Sequence, residues 1–509
     1  MDPDQTQFAP STQHSALSTQ HLALKSTMKM RLHSTAGRWT VAAAVLGSGA
    51  VFLESTVVNV ALPALARDLG LGMDGVQWVV NGYLLTLSAL MLLGGALGDV
   101  YPRARVFAAG ALAFGAASLG AALMPTFPLL VAARVAQGAA GALLVPNSLA
   151  LLEESFEGDE RGAAIGRWAA WSAVSTAAGP FAGGWLVDAL SWRWVFAAVV
   201  PFALAAAWMA LRLAPLPRSA KRRPIDFAGA ALVTVALATL VATLVSAPGR
   251  GIGDGRVLAG AAVGIAALAG FVVHEGRSAH PLLPLRLFRS RQFSAVNGVT
   301  LLVYAALGAF FLLLVLVLQN ALGFTAFASG LALLPLNGVM LIVSPVAGRL
   351  AGRIGPRWPM GVGALVAAGG LLLLTPLSPG AGYARGVLPG LLVFALGLSM
   401  LVAPLTAAVL GAVPDEFGGV ASAVNNSVAR VAGLLATAAL PALLGAAASE
   451  SLAGAPLLGG FRRVLLAAAG LCVAGAATTF LFVRSGANVE SVPHPAPAHG
   501  CTQTRAKPA

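Results

Sequence analysis

The sequence predicts an all-helical integral membrane fold of fourteen spans, on three observations. Hydrophobic residues make up 58% of the 509 and charged ones only 10%, with a mean hydropathy of +0.82; soluble domains carry about a quarter charged residues. Apolar runs near the roughly 20 residues needed to cross hydrocarbon follow one another with short polar connections. A small-residue, basic turn also recurs eight spans apart, as GALGDVYPR at 95–103 and GRLAGRIGPR at 348–357.

Taken in order, residues 1–38 are polar, rich in Ser, Thr, Gln and His, and read as a disordered cytoplasmic segment, neither secretory signal nor span. Six spans fill 39–213, at 39–65, 76–97, 106–124, 129–152, 163–187 and 192–213. A linker, 214–292, holds two extra spans at 227–247 and 257–273. Six more fill 293–484, at 293–319, 328–350, 359–377, 387–413, 420–447 and 464–483. Residues 485–509, rich in Pro and Ala, read as a disordered cytoplasmic tail. The recurring turn makes spans one to six and nine to fourteen related halves, a plan that places a site at their interface.

Orientation follows from the 32 Lys and Arg residues, which favour the cytoplasmic side of a membrane. With the N-terminus inside, most of them, Arg430 included, fall on the cytoplasmic side. Only Arg67, Arg193, Arg250, Arg256, Arg385, Arg462 and Arg463 fall outside, and Arg134 lies within a span. Both termini are then cytoplasmic, and the net charge of +13 needs no nucleic-acid partner. None of the lysines completes a phosphate-binding G-x-x-x-x-G-K-[ST] loop, so energy has to come from an ion gradient or a partner. His274 and His280 lack companions for a metal, and no cofactor is called for. The alternating glycines at 249–256 follow no strand and read as a flexible hairpin.

Of the 19 acidic residues, Glu54 is the one placed deep inside a span. Insertion scales put the cost of such a group at about 2.5–3.5 kcal/mol, so it points to function. Pro63 lacks the N–H that would bond the Asn59 carbonyl, so Asn59 and Glu54 are expected to share a polar pocket. In the fourth span Arg134, Gln137, Gly138 and Gly141 fall at i, i+3, i+4 and i+7 and share one face. The glycines let another helix approach, and Arg134 needs a counter-charge or a wet cavity. In the fifth span Ser175, Gly179 and Gly183 form a small-residue seam, while Pro180 frees the Thr176 carbonyl and bends the helix. Asp99 ends the second span beside Arg103, and Trp171 is a candidate for facing a cavity.

These stretches resemble the major facilitator superfamily, specifically its fourteen-helix drug:proton antiporter branch. LESTVVNVALP at 53–63 is similar to the branch's first-helix motif, with Glu54 where Asp is usual. GALGDVYPRAR at 95–105 resembles the loop motif, with Val100 in place of a basic residue and Pro102 in place of Gly. RVAQGAAGALLVP at 134–146 resembles the fourth-helix motif and GPFAGGW at 179–185 the fifth-helix one. In the second half Gly352 replaces the loop acid, and NNSVARVAG at 425–433 resembles the thirteenth helix.

The resemblance implies the major facilitator fold and alternating access between the halves. Glu54 and Arg134 would couple to protons, Asn59, Gln137 and Trp171 would line the substrate cavity, and Asp99, Arg103, Gly179, Pro180 and Gly183 would gate it. Asp99 is expected to latch a helix N-terminus near Gly419, since that end favours negative charge. The expected function is export of lipophilic drugs or antibiotics across a bacterial plasma membrane in exchange for protons, by a monomer. Alternatives are a dedicated exporter of one metabolite or antibiotic, and a polytopic enzyme acting on lipid-linked substrates. For the enzyme the candidate is the acidic run from Glu153 to Glu160, which also reads as a solvated charge run. A lone core acid suits neutral or weakly charged cargo, because a monovalent cation leaving against one proton moves no net charge.

Overall fold

The structure is a computed structural model and describes residues 30–212, 225–414, 417–445 and 452–485. Of the segments expected to be disordered, 1–38 and 485–509, residues 1–29 and 486–509 lie outside the described residues, as does the basic stretch of the linker at 213–224.

All regular structure among the described residues is helical. The first half comprises α1 (Thr35–Leu69), α2 (Met73–Val100), α3 (Arg103–Leu123), α4 (Phe127–Ser155), α5 (Gly158–Ala189) and α6 (Arg193–Leu211). A hairpin of α7 (Phe227–Arg250) and α8 (Gly255–Arg277) follows. The second half comprises α9 (Arg291–Asn320), α10 (Ala326–Ile354), α11 (Arg357–Leu373), α12 (Tyr383–Leu410), α13 (Gly418–Ala438) and α14 (Gly454–Phe482).

Each of these coincides with a predicted span, and 11 are long and apolar enough to cross a membrane. The other three explain themselves in sequence. α5 is diluted by Gly, Ser, Thr, Trp and Pro, α11 has only 17 residues, and α13 carries Asn425, Asn426 and Arg430.

Local signals set the ends. Ser34 caps α1 by accepting from the Gly37 N–H at 3.0 Å, as an N-cap hydroxyl does. Gly70 closes the helix in the left-handed conformation at φ 63°, the usual glycine stop. The entry to α1 departs from the expected free segment: the Met30 N–H donates to the Ser155 carbonyl at 2.9 Å and the Leu32 N–H to Glu160 at 3.1 Å. Two spans are interrupted where a proline enters, α6 before Pro201 and α10 before Pro335, because proline cannot complete the preceding turn.

The six-helix halves pack internally through small residues, as helices in lipid do. Gly94 of α2 lies against the Ala142 backbone of α4, Gly363 of α11 against Gly397 of α12, and Gly308 of α9 against Gly433 of α13. The inserted α7 packs on both α2 and α13, while α8 packs mainly on α7.

The halves are fastened at one end. The Gln319 amide donates to the Val60 carbonyl at 3.0 Å, and the Thr437 hydroxyl donates to Asn81 at 2.6 Å. Gln77 also donates to the Thr437 carbonyl. Asp188 at the end of α5 accepts from the Ala326 and Phe327 N–H groups of α10 at 3.2 and 2.8 Å. Away from this end α5 and α10 separate, leaving Trp171, Val174, Leu341 and Ile342 exposed.

Gly94→Leu is expected to force α2 from α4 and cost about 1–3 kcal/mol, lowering the unfolding temperature of the purified protein. Gly166→Ala, with open space around the added Cβ, should stay within about 0.5 kcal/mol of the parent.

Candidate functional site

The polar centre of the first half is an ion pair. Glu54 of α1 and Arg134 of α4 meet at 2.9 Å with side-chain exposures of 0% and 2%. The spacing seen in sequence explains the meeting. A Cβ on Gly138 would overlap the Tyr83 carbonyl and the Thr86 hydroxyl, and Gly141 lies against Val51 of α1 and Leu87 of α2. Those glycines bring α1 and α2 close enough to α4 for the guanidinium to reach the carboxylate.

Arg134 is held from several sides. Its Nε donates to the Val79 carbonyl at 2.9 Å, and Nη1 also donates to Gln137 at 2.5 Å. The Tyr83 ring lies 4.3 Å beneath it and the Phe196 ring at 5.6 Å, within the range of a cation–π contact. The Gln137 amide in turn donates to Ser118 at 2.7 Å. On the acid, Oε2 is buried and has no hydrogen-bond partner among the described residues. That oxygen can take a proton without breaking an existing bond.

Several expected site residues stand elsewhere. Asn59 is half-buried on α1 and does not join the Glu54 network; five residues of helix place it about 140° around from Glu54. Gln137 is buried at 0% exposure inside the first half, completing the ion pair rather than lining a cleft. Trp171 is 58% exposed on the part of α5 that has separated from α10. Trp168, one turn earlier, donates to Ser48 at 2.7 Å and so pins that part of α5 to α1.

The seam residues of α5 do face neighbours closely. Gly179 lies against Thr56 and Gly183 against Val57, both of α1. The Thr56 hydroxyl donates to the Thr176 carbonyl at 3.2 Å, the carbonyl that Pro180 leaves free. Across the halves, Gly184 lies against the Ala326–Phe327 backbone and the Pro180 carbonyl against Gly330. The Phe181 and Phe327 rings meet at a tilt of 50° with centroids 5.2 Å apart.

Asp99 differs from expectation. Its side chain is 60% exposed and pairs with Arg103 at 2.7 Å, while Arg103 also donates to the Ala150 carbonyl at 2.9 Å. The acid that caps a helix N-terminus across the halves is instead Asp188, at the opposite end of the bundle. In sequence its only signals are that it closes the stretch GPFAGGWLVD and that α10 begins with a Thr325 cap. Arg430, expected at the cytoplasmic surface, lies near mid-length of α13. No group of three or more His, Cys, Asp or Glu that could hold a metal occurs among the described residues. The acidic run is engaged in structure: Glu154 lies 3.7 Å from Arg103 and Glu153 3.5 Å from Arg161.

Two helical halves fastened at one end, with an ion pair buried in one of them, define a polytopic membrane transporter. The Major Facilitator Superfamily description matches residues 44–437, and the chain belongs to that superfamily. It is 37% identical over 411 residues to the tetracenomycin C resistance and export protein of Streptomyces glaucescens, covering 80% of this chain and 75% of that one. It is 34% identical over 417 residues to the multidrug resistance protein Stp of Mycobacterium tuberculosis, covering 81% and 77%. Among solved structures it shares the fold of a bacterial homologue of the human lysosomal transporter Spinster, with a TM-score of 0.65 at 16% identity, covering 88% of this chain and 97% of that one.

Removing one partner of a buried ion pair leaves the other charge uncompensated, at roughly 3–5 kcal/mol. Glu54→Leu is expected to show that loss in thermal unfolding, and adding Arg134→Met should recover most of it. A double variant no more stable than either single one would mean that desolvation does not dominate this pair.

Proposed function

We propose that the protein is a proton-coupled antiporter of fourteen spans, in the drug:proton branch of its superfamily. It exports lipophilic drugs or antibiotics across a bacterial plasma membrane as a monomer with both termini cytoplasmic; α5, α11 and α13 complete the fourteen. The observation that carries this reading is the Glu54–Arg134 pair, fastened through the Val79 carbonyl to α2, a helix that meets the other half. Relatives named for antibiotic resistance and export supply the direction and the class of cargo.

In this orientation the fastened end, with Asp188 and the Gly184–Gly330 contacts, is the closed outer gate. While Glu54 is ionised it holds Arg134. A proton on Oε2 removes the charge opposite the guanidinium, which then leans on Gln137 and Val79 alone. Through Val79 and Tyr83 that change reaches α2, whose Gln77 and Asn81 join Thr437 of α13. Opening of the seam exposes the pair to the outside and closure returns it to the cell. One proton entering supplies about 2.3 kcal/mol per 100 mV and about 1.4 per pH unit. For a neutral cargo that sustains a gradient of roughly several hundredfold.

A second reading, a dedicated exporter of one metabolite or antibiotic, is favoured by the relative named for tetracenomycin C alone. A panel of unrelated drugs given to cells expressing the protein separates the two.

Reconstituted vesicles under an imposed pH difference test the mechanism. Glu54→Gln should fold and lose uphill export, and Glu54→Asp should retain part of it; uphill export by the Gln variant at the parent rate would sink the coupling assignment. Gly330→Leu would push the Pro180 carbonyl away and should cut export roughly tenfold or more by disfavouring the closed seam. Gly338→Leu, on the same helix with open space around the added Cβ, should export normally.

A further inference from the structure

Deep within its helices the bundle carries two guanidiniums, Arg134 and Arg430, and one carboxylate, Glu54. Glu54 is engaged by Arg134. The second cation, Arg430, has no hydrogen bond or ion pair among the described residues, and its Nε is buried without a partner. On α13 it lies between two layers of polar contact. Toward the start of the helix Asn425 donates to Asn297 and Thr300 of α9 at 3.2 and 2.7 Å, and toward its end Thr437 donates to Asn81 of α2. One turn on, Gly433 touches Gly308, which sets α13 directly on α9.

The polar layers on either side of it along α13 are neutral, Asn425 with Asn297 and Thr300, and Thr437 with Asn81. Arg430 is half-buried with its Nε closed off, and a planar guanidinium fork suits a carboxylate or sulfonate. The central region therefore carries a positive excess that no described side chain cancels.

We propose that Arg430 is the counter-charge for the cargo, so that the preferred substrates are lipophilic organic anions such as aromatic carboxylates and sulfonates. This deepens the export reading above and rests on it. The energetics point the same way. At 100 mV, inside negative, each net charge moved is worth about fiftyfold in gradient. A proton entering as a monovalent anion leaves moves two charges in one electrical sense, a neutral cargo moves one, and a monovalent cation moves none.

The test compares anthracene-9-carboxylate with anthracene-9-carboxamide, probes of one ring size and different charge, by fluorescence binding to the purified protein. The parent should bind the acid roughly tenfold or more tighter than the amide. Arg430→Gln should abolish that preference, and Arg430→Lys should keep part of it. Equal affinities in the parent, absent binding included, overturn the inference, as does a preference that survives Arg430→Gln. The parent comparison stands even if a variant misfolds. Proton movement in proteoliposomes on adding each probe separates the two readings. Amide-driven movement without acid preference sinks the anion inference and leaves export standing. An acid preference without proton movement from either probe supports the anion site and counts against coupled export.

Discussion

The structure depends on an acid and a base held together where neither water nor lipid can solvate them. Taking both ions out of water costs several kcal/mol each, and their attraction offsets this only with good geometry and further hydrogen bonds. Here the geometry is supplied on the basic side: Val79, Gln137 and Tyr83 surround Arg134. The acidic side is left incomplete, since Oε2 of Glu54 has no partner. A well-packed apolar pair would serve stability as well. The asymmetry suits the proposed proton coupling, with a stable cationic seat beside an acid that can be neutralised without dismantling the seat.

The pair lies behind the cleft, inside the first half, so its effect has to be transmitted. α2 is the shared element. Val79 and Tyr83 hold Arg134, while Gln77 and Asn81, each two positions earlier, reach Thr437 in the other half. The fastened seam itself is built from glycines set directly on backbone, Gly184 on Ala326 and Gly330 on Pro180. Such a contact is packed or it is apart, with little between, and packed interfaces of this kind switch between discrete arrangements. Under the proposed coupling, a modest change at Arg134 would select between two whole states.

Much of this was legible in the residues. Composition and run length located the helices, and the i, i+3, i+4, i+7 pattern put Arg134, Gln137 and the two glycines on one face. The missing N–H of Pro180 foretold a free Thr176 carbonyl, which Thr56 uses. The readings that moved all concern partners. Asn59 shares a helix with Glu54 but not a face, and Gln137 turned inward to serve Arg134. The helix-capping acid proved to be Asp188 at the fastened end, because which end of the bundle is closed is a property of the conformational state. Arg430 counts with the cytoplasmic charges in sequence but lies near mid-length of α13, since charge counting across loops does not resolve depth within a helix. Side-chain periodicity defines faces, whereas contacts such as Asn81 to Thr437 join residues hundreds of positions apart.

The inserted helices acquire a purpose from the same seam. Where α2 meets α13, Gln77 Oε1, Asn81 Nδ2 and Arg430 Nε are all buried without partners, and such atoms cannot face hydrocarbon cheaply. α7 covers that junction with Leu237, Val241 and Val245, which share one apolar cluster with Leu85 and Ala89 of α2 and Leu434 and Ala438 of α13. It thereby screens a polar, positively charged junction from lipid while touching both halves through side chains that can slide. α8, by contrast, is mostly exposed and packs mainly on α7, which suits a strut that returns the chain across the membrane. The two extra spans fit the polar junction they cover, because buried polar atoms without partners need a wall against lipid.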